Sequence, residues 1–155
     1  MVRRGVLVDA AAVDAAALLH DLDKMLPDDD PLKALGHGAA GAEWLRRRGY
    51  AELAPAVASH PVMELGTAAT YDEWADRAGL IGRVVTYADK RARQDVVTLT
   101  DRFARWHARY PDSPKLDEAD ARALLLEAEI CGLAGIQPED VLRQRWVTGA
   151  LRAAA

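Results

Sequence analysis

This sequence predicts an all-α fold, a single-domain bundle of about six to eight helices. Three observations carry that reading. The apolar residues are mainly Ala, Leu and Val, with one Phe, and Ala and Leu are strong helix formers. Apolar positions recur at helical spacing, as in Ile81, Val84, Val85 and Ala88. No convincing alternation of apolar and polar residues marks a strand. The 155 residues suffice for one domain with its own core, and no linker is long enough to separate two.

Residues 10–25 read as a first helix with Asp9 as N-cap. Val13, Ala16, Ala17, Leu18 and Leu19 make it apolar on most sides, so deep burial is expected. The segment Pro27-Asp28-Asp29-Asp30-Pro31 ends it in an exposed acidic loop. A second helix runs from about Gly38 to Arg48 and stops at Gly49, a C′ glycine. A third runs from about Ala51 to His60, before Pro61. Residues 62–78 are less regular, with one short helix near Tyr71–Arg77. Leu80 to about Arg93 is another buried helix. Thr98 to Tyr110 is amphipathic, with Leu99, Phe103 and Trp106 on one stripe. Pro111 and Pro114 mark a loop, and two last helices fall near Asp117–Leu133 and Pro138–Leu151. Trp44, Trp74, Trp106 and Trp146 are expected to be core or interface anchors, His107 to lie at the surface, and Cys131 to be buried.

A net charge of −4 gives no global attraction to nucleic acid or to an anionic membrane. A phosphorylated substrate would have to be drawn in by local basic residues or a metal. Cys131 is the only cysteine, which excludes an intramolecular disulfide and suits a cytoplasmic protein, the expected location. No apolar run reaches the roughly 18 residues of a membrane span. The opening MVRRGVLVDA lacks the apolar region of a signal peptide.

His20-Asp21 is the strongest chemical signal, because a polar pair after Ala-Ala-Ala-Leu-Leu is costly unless something satisfies it. A metal would do so, and imidazole with carboxylate suits Mn, Fe, Co, Ni, Zn or Mg. Lys24 lies one turn beyond His20 and could meet a phosphate oxygen beside the metal. Asp89 interrupts a second apolar helix in Val-Val-Thr-Tyr-Ala-Asp-Lys. Two apolar helices, each broken by an acid, suggest one shared polar site.

The string Ala-Leu-Leu-His-Asp-Leu-Asp-Lys resembles the signature of the HD-domain metal-dependent phosphohydrolases with its trailing lysine. Gly-His-Gly-Ala-Ala-Gly-Ala-Glu at 36–43, Ala-Ser-His at 58–60 and Tyr-Ala-Asp-Lys at 87–90 resemble three further blocks of that family, in order, over roughly residues 10–105. The resemblance implies that His20, Asp21 and Asp89 bind a first divalent metal. Asp21 would bridge to a second ion held by His37 and His60. One or two ions would activate a water and polarise the phosphoryl oxygen. Asp21 and Lys24 would be catalytic, and Lys24, Lys90 and Arg93 would face the substrate phosphate. The block order is similar to the two-metal members that cleave nucleotides such as diadenosine tetraphosphate, although Pro61-Val62 after His60 departs from them.

The family carries a further histidine ligand on an earlier helix, and none of the 19 residues before His20 is a histidine. Gly5-Val6-Leu7-Val8-Asp9 resembles the loop after that helix, so the expectation is a sequence that begins past it. Loss of the helix would weaken the first metal site and bare apolar surface, which could drive homodimerisation.

Three readings result. The first is a phosphohydrolase acting on a phosphate ester or phosphoanhydride of a nucleotide. The second is a catalytically degenerate HD domain that binds a nucleotide or a protein. The third is a structural bundle or dimerisation module. Bland alternatives stand beside the site residues: an Asp89–Arg93 ion pair, a loop His37, a helix-end cation at His60, and a Lys24 that is solvated or paired with Asp28.

Overall fold

Capping residues and prolines start most of the helices in the computed structural model, which describes residues 5–143. α1 (Ala10–Leu19) begins where Asp9 accepts the Ala12 N–H at 3.0 Å. Two 3-10 turns follow, Leu22–Met25 and Pro31–Leu35. Then come α2 (Ala39–Arg47), α3 (Ala54–Ser59), α4 (Val62–Thr67) and α5 (Tyr71–Arg91). α6 (Leu99–Arg109), α7 (Pro114–Ala134) and α8 (Pro138–Leu142) complete the described fold. Thr70 and Thr98 cap α5 and α6 by accepting the N–H groups of Glu73 and Asp101. Pro114 and Pro138 stand in the first turns of α7 and α8, where the missing N–H costs nothing. The fold is all-α, with no strand among the described residues.

α5 is the central element. Its first half packs Trp74 and Ala78 with Leu65 of α4, Phe103 of α6, and Leu116 and Leu126 of α7. Its second half packs Val85 with Ala16 of α1, Leu45 of α2 and Val57 of α3. The two apolar clusters therefore meet along one helix. The C-terminal ends of α1, α3 and α5 and the approach to α2 carry the polar residues considered below.

Several expected elements change. The first helix ends at Leu19, because His20 Nδ1 donates back to the Ala17 carbonyl at 2.7 Å and Asp21 leaves helical geometry at φ −100°, ψ 18°. Nor is it deeply buried: of its residues only Ala16 is, and Leu18 is 85% exposed. Its alanines raise hydrophobicity on every side without defining a face that must be covered, so one contact row suffices. Residues 62–78 are more regular than expected. Gly66 and Gly79 both lie within helices. A Cβ on Gly66 would come within 1.9 Å of the Lys115 carbonyl oxygen, so glycine there lets α4 lie against α7. Gly79 takes φ 62°, ψ 177°, a left-handed kink that re-aims α5 without ending it. Of the last expected helix, α8 covers Pro138–Leu142; its continuation to Leu151, with Trp146, lies outside the described residues.

Trp74 is fully buried and Cys131 nearly so, while Trp44 and Trp106 are half-buried. His107 is half-buried between Asp117 and Asp120, tying α6 to α7. No described helix is long and apolar enough to cross a membrane. A groove of 590 Å3 runs between α1 and α2, lined by Ala12, Ala15, Leu19, Trp44, Tyr50 and Leu53.

Candidate metal centre

Five side chains from four places in the chain converge. His20 and Asp21 come from the end of α1, His37 from the loop before α2, His60 from the end of α3 and Asp89 from the last turns of α5. Asp21 stands in the middle. Its Oδ1 lies 3.6 Å from both His37 Nε2 and His60 Nε2, and its Oδ2 lies 3.4 Å from His20 Nε2. His20 Nε2 is 3.7 Å from Asp89 Oδ1. The rings of His20 and His37 both stand edge-on to His60, with centroids 4.9 and 4.7 Å away.

The far nitrogen of each histidine is already engaged. His20 Nδ1 donates to the Ala17 carbonyl and His60 Nδ1 to the Val57 carbonyl, each at 2.7 Å. His37 Nδ1 donates to Asp23 Oδ2 at 2.9 Å. A carbonyl oxygen only accepts, so the ring proton of His20 and of His60 sits on Nδ1, and a carboxylate favours the same tautomer in His37. Each Nε2 then presents a lone pair to the cluster.

These tautomers decide what the site fits. His37 Nε2 and His60 Nε2 are 3.2 Å apart, and Asp21 Oδ1 faces both. With both rings neutral that is three acceptors facing one another, an arrangement that repels itself unless a proton or a metal ion lies between. Atoms bound to one ion at about 2.0–2.2 Å lie about 3.0–3.6 Å apart in tetrahedral or octahedral geometry. The spacings of 3.2 and 3.6 Å match. His20, Asp21 and His60 offer ligand atoms that all lie within 4.8 Å of one another, and Asp89 joins this group through His20 Nε2, which is 3.4 Å from Asp21 Oδ2 and 3.7 Å from Asp89 Oδ1. A nitrogen–oxygen donor set of this kind suits Mn, Fe, Co, Ni or Zn, and Mg less well.

Burial and charge tune the same groups. Burial pushes the His60 pKa down to about 4, so its imidazole is neutral and not a helix-end cation. Burial alone would raise Asp21; the Lys24 hydrogen bond and the nearby His20 outweigh it and hold the carboxyl below its usual value. Asp89 behaves likewise, with Lys90 outweighing burial.

The lysines divide. Lys24 donates to Asp21 Oδ2 at 2.7 Å but is 59% exposed, so it can swing toward a ligand; its partner is Asp21, not Asp28, which pairs with Lys33. Lys90, expected at the substrate phosphate, is 1% exposed. Its Nζ donates to Asp89 Oδ2 at 2.6 Å and to the His60 carbonyl at 2.7 Å. It is a buried strut that links two of the converging residues and has no open path to a substrate. Arg93 is exposed and does not pair with Asp89, whose lysine partner is its sequence neighbour.

Two residues at the site escaped the sequence reading. Asp23 is buried, orients His37 and accepts the Gly38 N–H at 3.4 Å. Carboxylate–histidine pairs of this kind fix ring tautomer and raise ligand basicity. Arg102 of α6 places a guanidinium nitrogen 4.0 Å from Asp89 Oδ1. Its only sequence signal was a basic residue on an amphipathic helix.

Residues 3–134 match the sequence model described as the HD domain. No curated protein and no solved structure matches the chain.

Proposed function

From the premise that this chain belongs to the HD-domain family, a family in general of metal-dependent phosphohydrolases, we propose that it hydrolyses a phosphate ester or phosphoanhydride of a nucleotide at the cluster around Asp21. The observation that carries this is the set of three Nε2 lone pairs aimed at Asp21 and Asp89, each fixed by a bond at the ring's far nitrogen. A divalent ion bound there would supply Lewis acidity to the phosphoryl oxygen and hydroxide at neutral pH.

The chain's own residues have separable tasks. His37, His60 and Asp21 would hold one ion, and His20, Asp21 and Asp89 a second. Asp23 keeps His37 in register. Lys90 keeps Asp89 ionised and anchors the end of α3. Lys24, released from Asp21, would offset charge on the phosphate, with exposed Arg93 as a further cation nearby. The nucleotide part of the proposal rests on the order of the four sequence blocks, which is similar to the two-metal nucleotide-cleaving members.

One observation favours the degenerate, binding-only reading. Asp21 Oδ2 and Asp89 Oδ2 are each held by a lysine, at 2.7 and 2.6 Å, so lysines already neutralise the His20–Asp89 half. Incubation with Mn, Co, Ni or Mg and a panel of nucleotides and phosphate esters separates the two. Metal-dependent cleavage supports the enzyme. A protein that binds nucleotide yet cleaves nothing supports the binder.

A further inference from the structure

Arg102 has the anatomy of a ligand-binding residue without a ligand among its own neighbours. Its side chain is only 19% exposed, yet none of its guanidinium N–H groups makes a hydrogen bond to a described residue. Its Nε is buried and unpartnered. Buried polar groups are nearly always satisfied, so the buried Nε–H asks for an acceptor, and the terminal nitrogens of the fork, unbonded to any described residue, can share it. Asp89 is not a sufficient one. The 4.0 Å separation exceeds hydrogen-bond length, and the other Asp89 oxygen belongs to Lys90.

Position narrows the class of acceptor. Arg102 approaches the same oxygen, Asp89 Oδ1, that faces His20 Nε2 at 3.7 Å, so it stands at the edge of the converging set and not behind it. Trp106, one turn along α6, carries the guanidinium on its ring at 4.5 Å and fixes its plane. Arg93 and Arg105 lie close enough to act on its charge, so three cations gather at this corner of a chain with net charge −4. A planar fork held by stacking matches the paired oxygens of a phosphoryl group better than a lysine does.

We infer that Arg102, seated on Trp106 beside Asp89 Oδ1, binds a non-bridging oxygen of the phosphoryl group on which this site acts. The inference rests on the phosphohydrolase reading for its substrate class. It also fills the vacancy left by Lys90, which is buried on the other side of Asp89.

Phenylphosphonate, a phosphate-ester mimic that cannot be hydrolysed, tests it by calorimetry on the full chain, once loaded with Mn2+ and once in EDTA. Mn2+ affinity is measured separately. Arg102→Met should weaken phenylphosphonate binding by about tenfold or more, the worth of a charge-assisted bond, with Mn2+ affinity unchanged. Arg102→Lys, which keeps the charge and loses the fork, should fall between. It also serves as the second variant if Arg102→Met melts early. Unchanged phenylphosphonate affinity overturns the inference, as does a loss confined to Mn2+ affinity, which would make Arg102 a support for Asp89. A Mn2+-loaded wild type that ignores phenylphosphonate overturns both this and the proposed function. If the wild type takes up no Mn2+, the metal reading alone fails. Arg102 is then judged in EDTA, where binding lost in Arg102→Met supports it and absence of binding overturns it.

Discussion

His37 Nε2 and His60 Nε2 face each other across 3.2 Å, each with its Nδ1 already bonded elsewhere. Two imidazole lone pairs at that distance need a proton or a metal ion between them. Among the described residues neither nearby lysine donates there: Lys24 sits on the other oxygen of Asp21, and Lys90 points to the His60 carbonyl. Most of the expected behaviour follows from this pair and from the groups that hold it.

Asp23→Asn should weaken metal binding by about 10–100-fold while leaving the fold intact. The amide keeps the shape of the carboxylate that holds His37 at 2.9 Å but loses its charge. Competition with a fluorescent chelator measures the affinity, and circular dichroism checks the fold. A variant that binds as tightly as wild type would reduce Asp23 to a loop-capping residue.

Lys90→Met should destabilise the protein by about 3–5 kcal/mol, because it leaves the largely buried Asp89 carboxylate without its hydrogen-bonded partner and the His60 carbonyl without its donor. Lys90 is fully buried and bonded to both Asp89 and the His60 carbonyl. Adding Asp89→Asn to Lys90→Met should recover part of the loss, since the uncompensated charge is then removed. Urea denaturation of both variants gives the comparison. A double variant no better than the single would mean that the His60 carbonyl, not Asp89, is the partner that matters.

Two glycine-to-alanine changes should act in opposite directions. At Gly66 the new Cβ meets the Lys115 carbonyl oxygen at 1.9 Å, so α4 and α7 must separate. A loss of about 1–3 kcal/mol is expected from such overpacking. At Gly132, inside α7, a Cβ meets nothing within 4 Å. Helix propensity then favours Ala, with a gain of about 0.5–1 kcal/mol. Thermal melts of the two variants decide it, and a Gly66→Ala protein as stable as wild type would contradict the close packing of α4 on α7.

The gathering of His20, Asp21, His37, His60 and Asp89 could be read ahead of the structure because each interrupts an apolar or glycine-flanked stretch in which a polar side chain needs a reason. Asp23 could not. It sits in Leu-Asp-Lys-Met, which reads as the tail of a helix, and only the 3-10 turn after His20 rotates it toward His37. Lys90 was misjudged for a similar reason. In sequence it opens a basic run with Arg91 and Arg93, but α5 lies between two apolar clusters and buries both Lys90 and Arg91. Arg91 spends its guanidinium on Glu127, Tyr87 and the Pro138 carbonyl, which ties α5 to α7 and to the start of α8. The exposed face of α1 was missed because hydrophobicity without a moment does not say which side, if any, is covered.

Metal content per chain, measured by elemental mass spectrometry after loading with Mn or Co and desalting, tests the centre most directly. Asp21 belongs to both halves of the cluster, so Asp21→Ala should strip the chain of metal. His60→Ala should remove the ion shared with His37, and Asp89→Ala the ion shared with His20. A wild type that retains one or two ions, with none left in Asp21→Ala, is the predicted result. A folded wild type that emerges metal-free, or an Asp21→Ala variant that keeps its full complement, would contradict it.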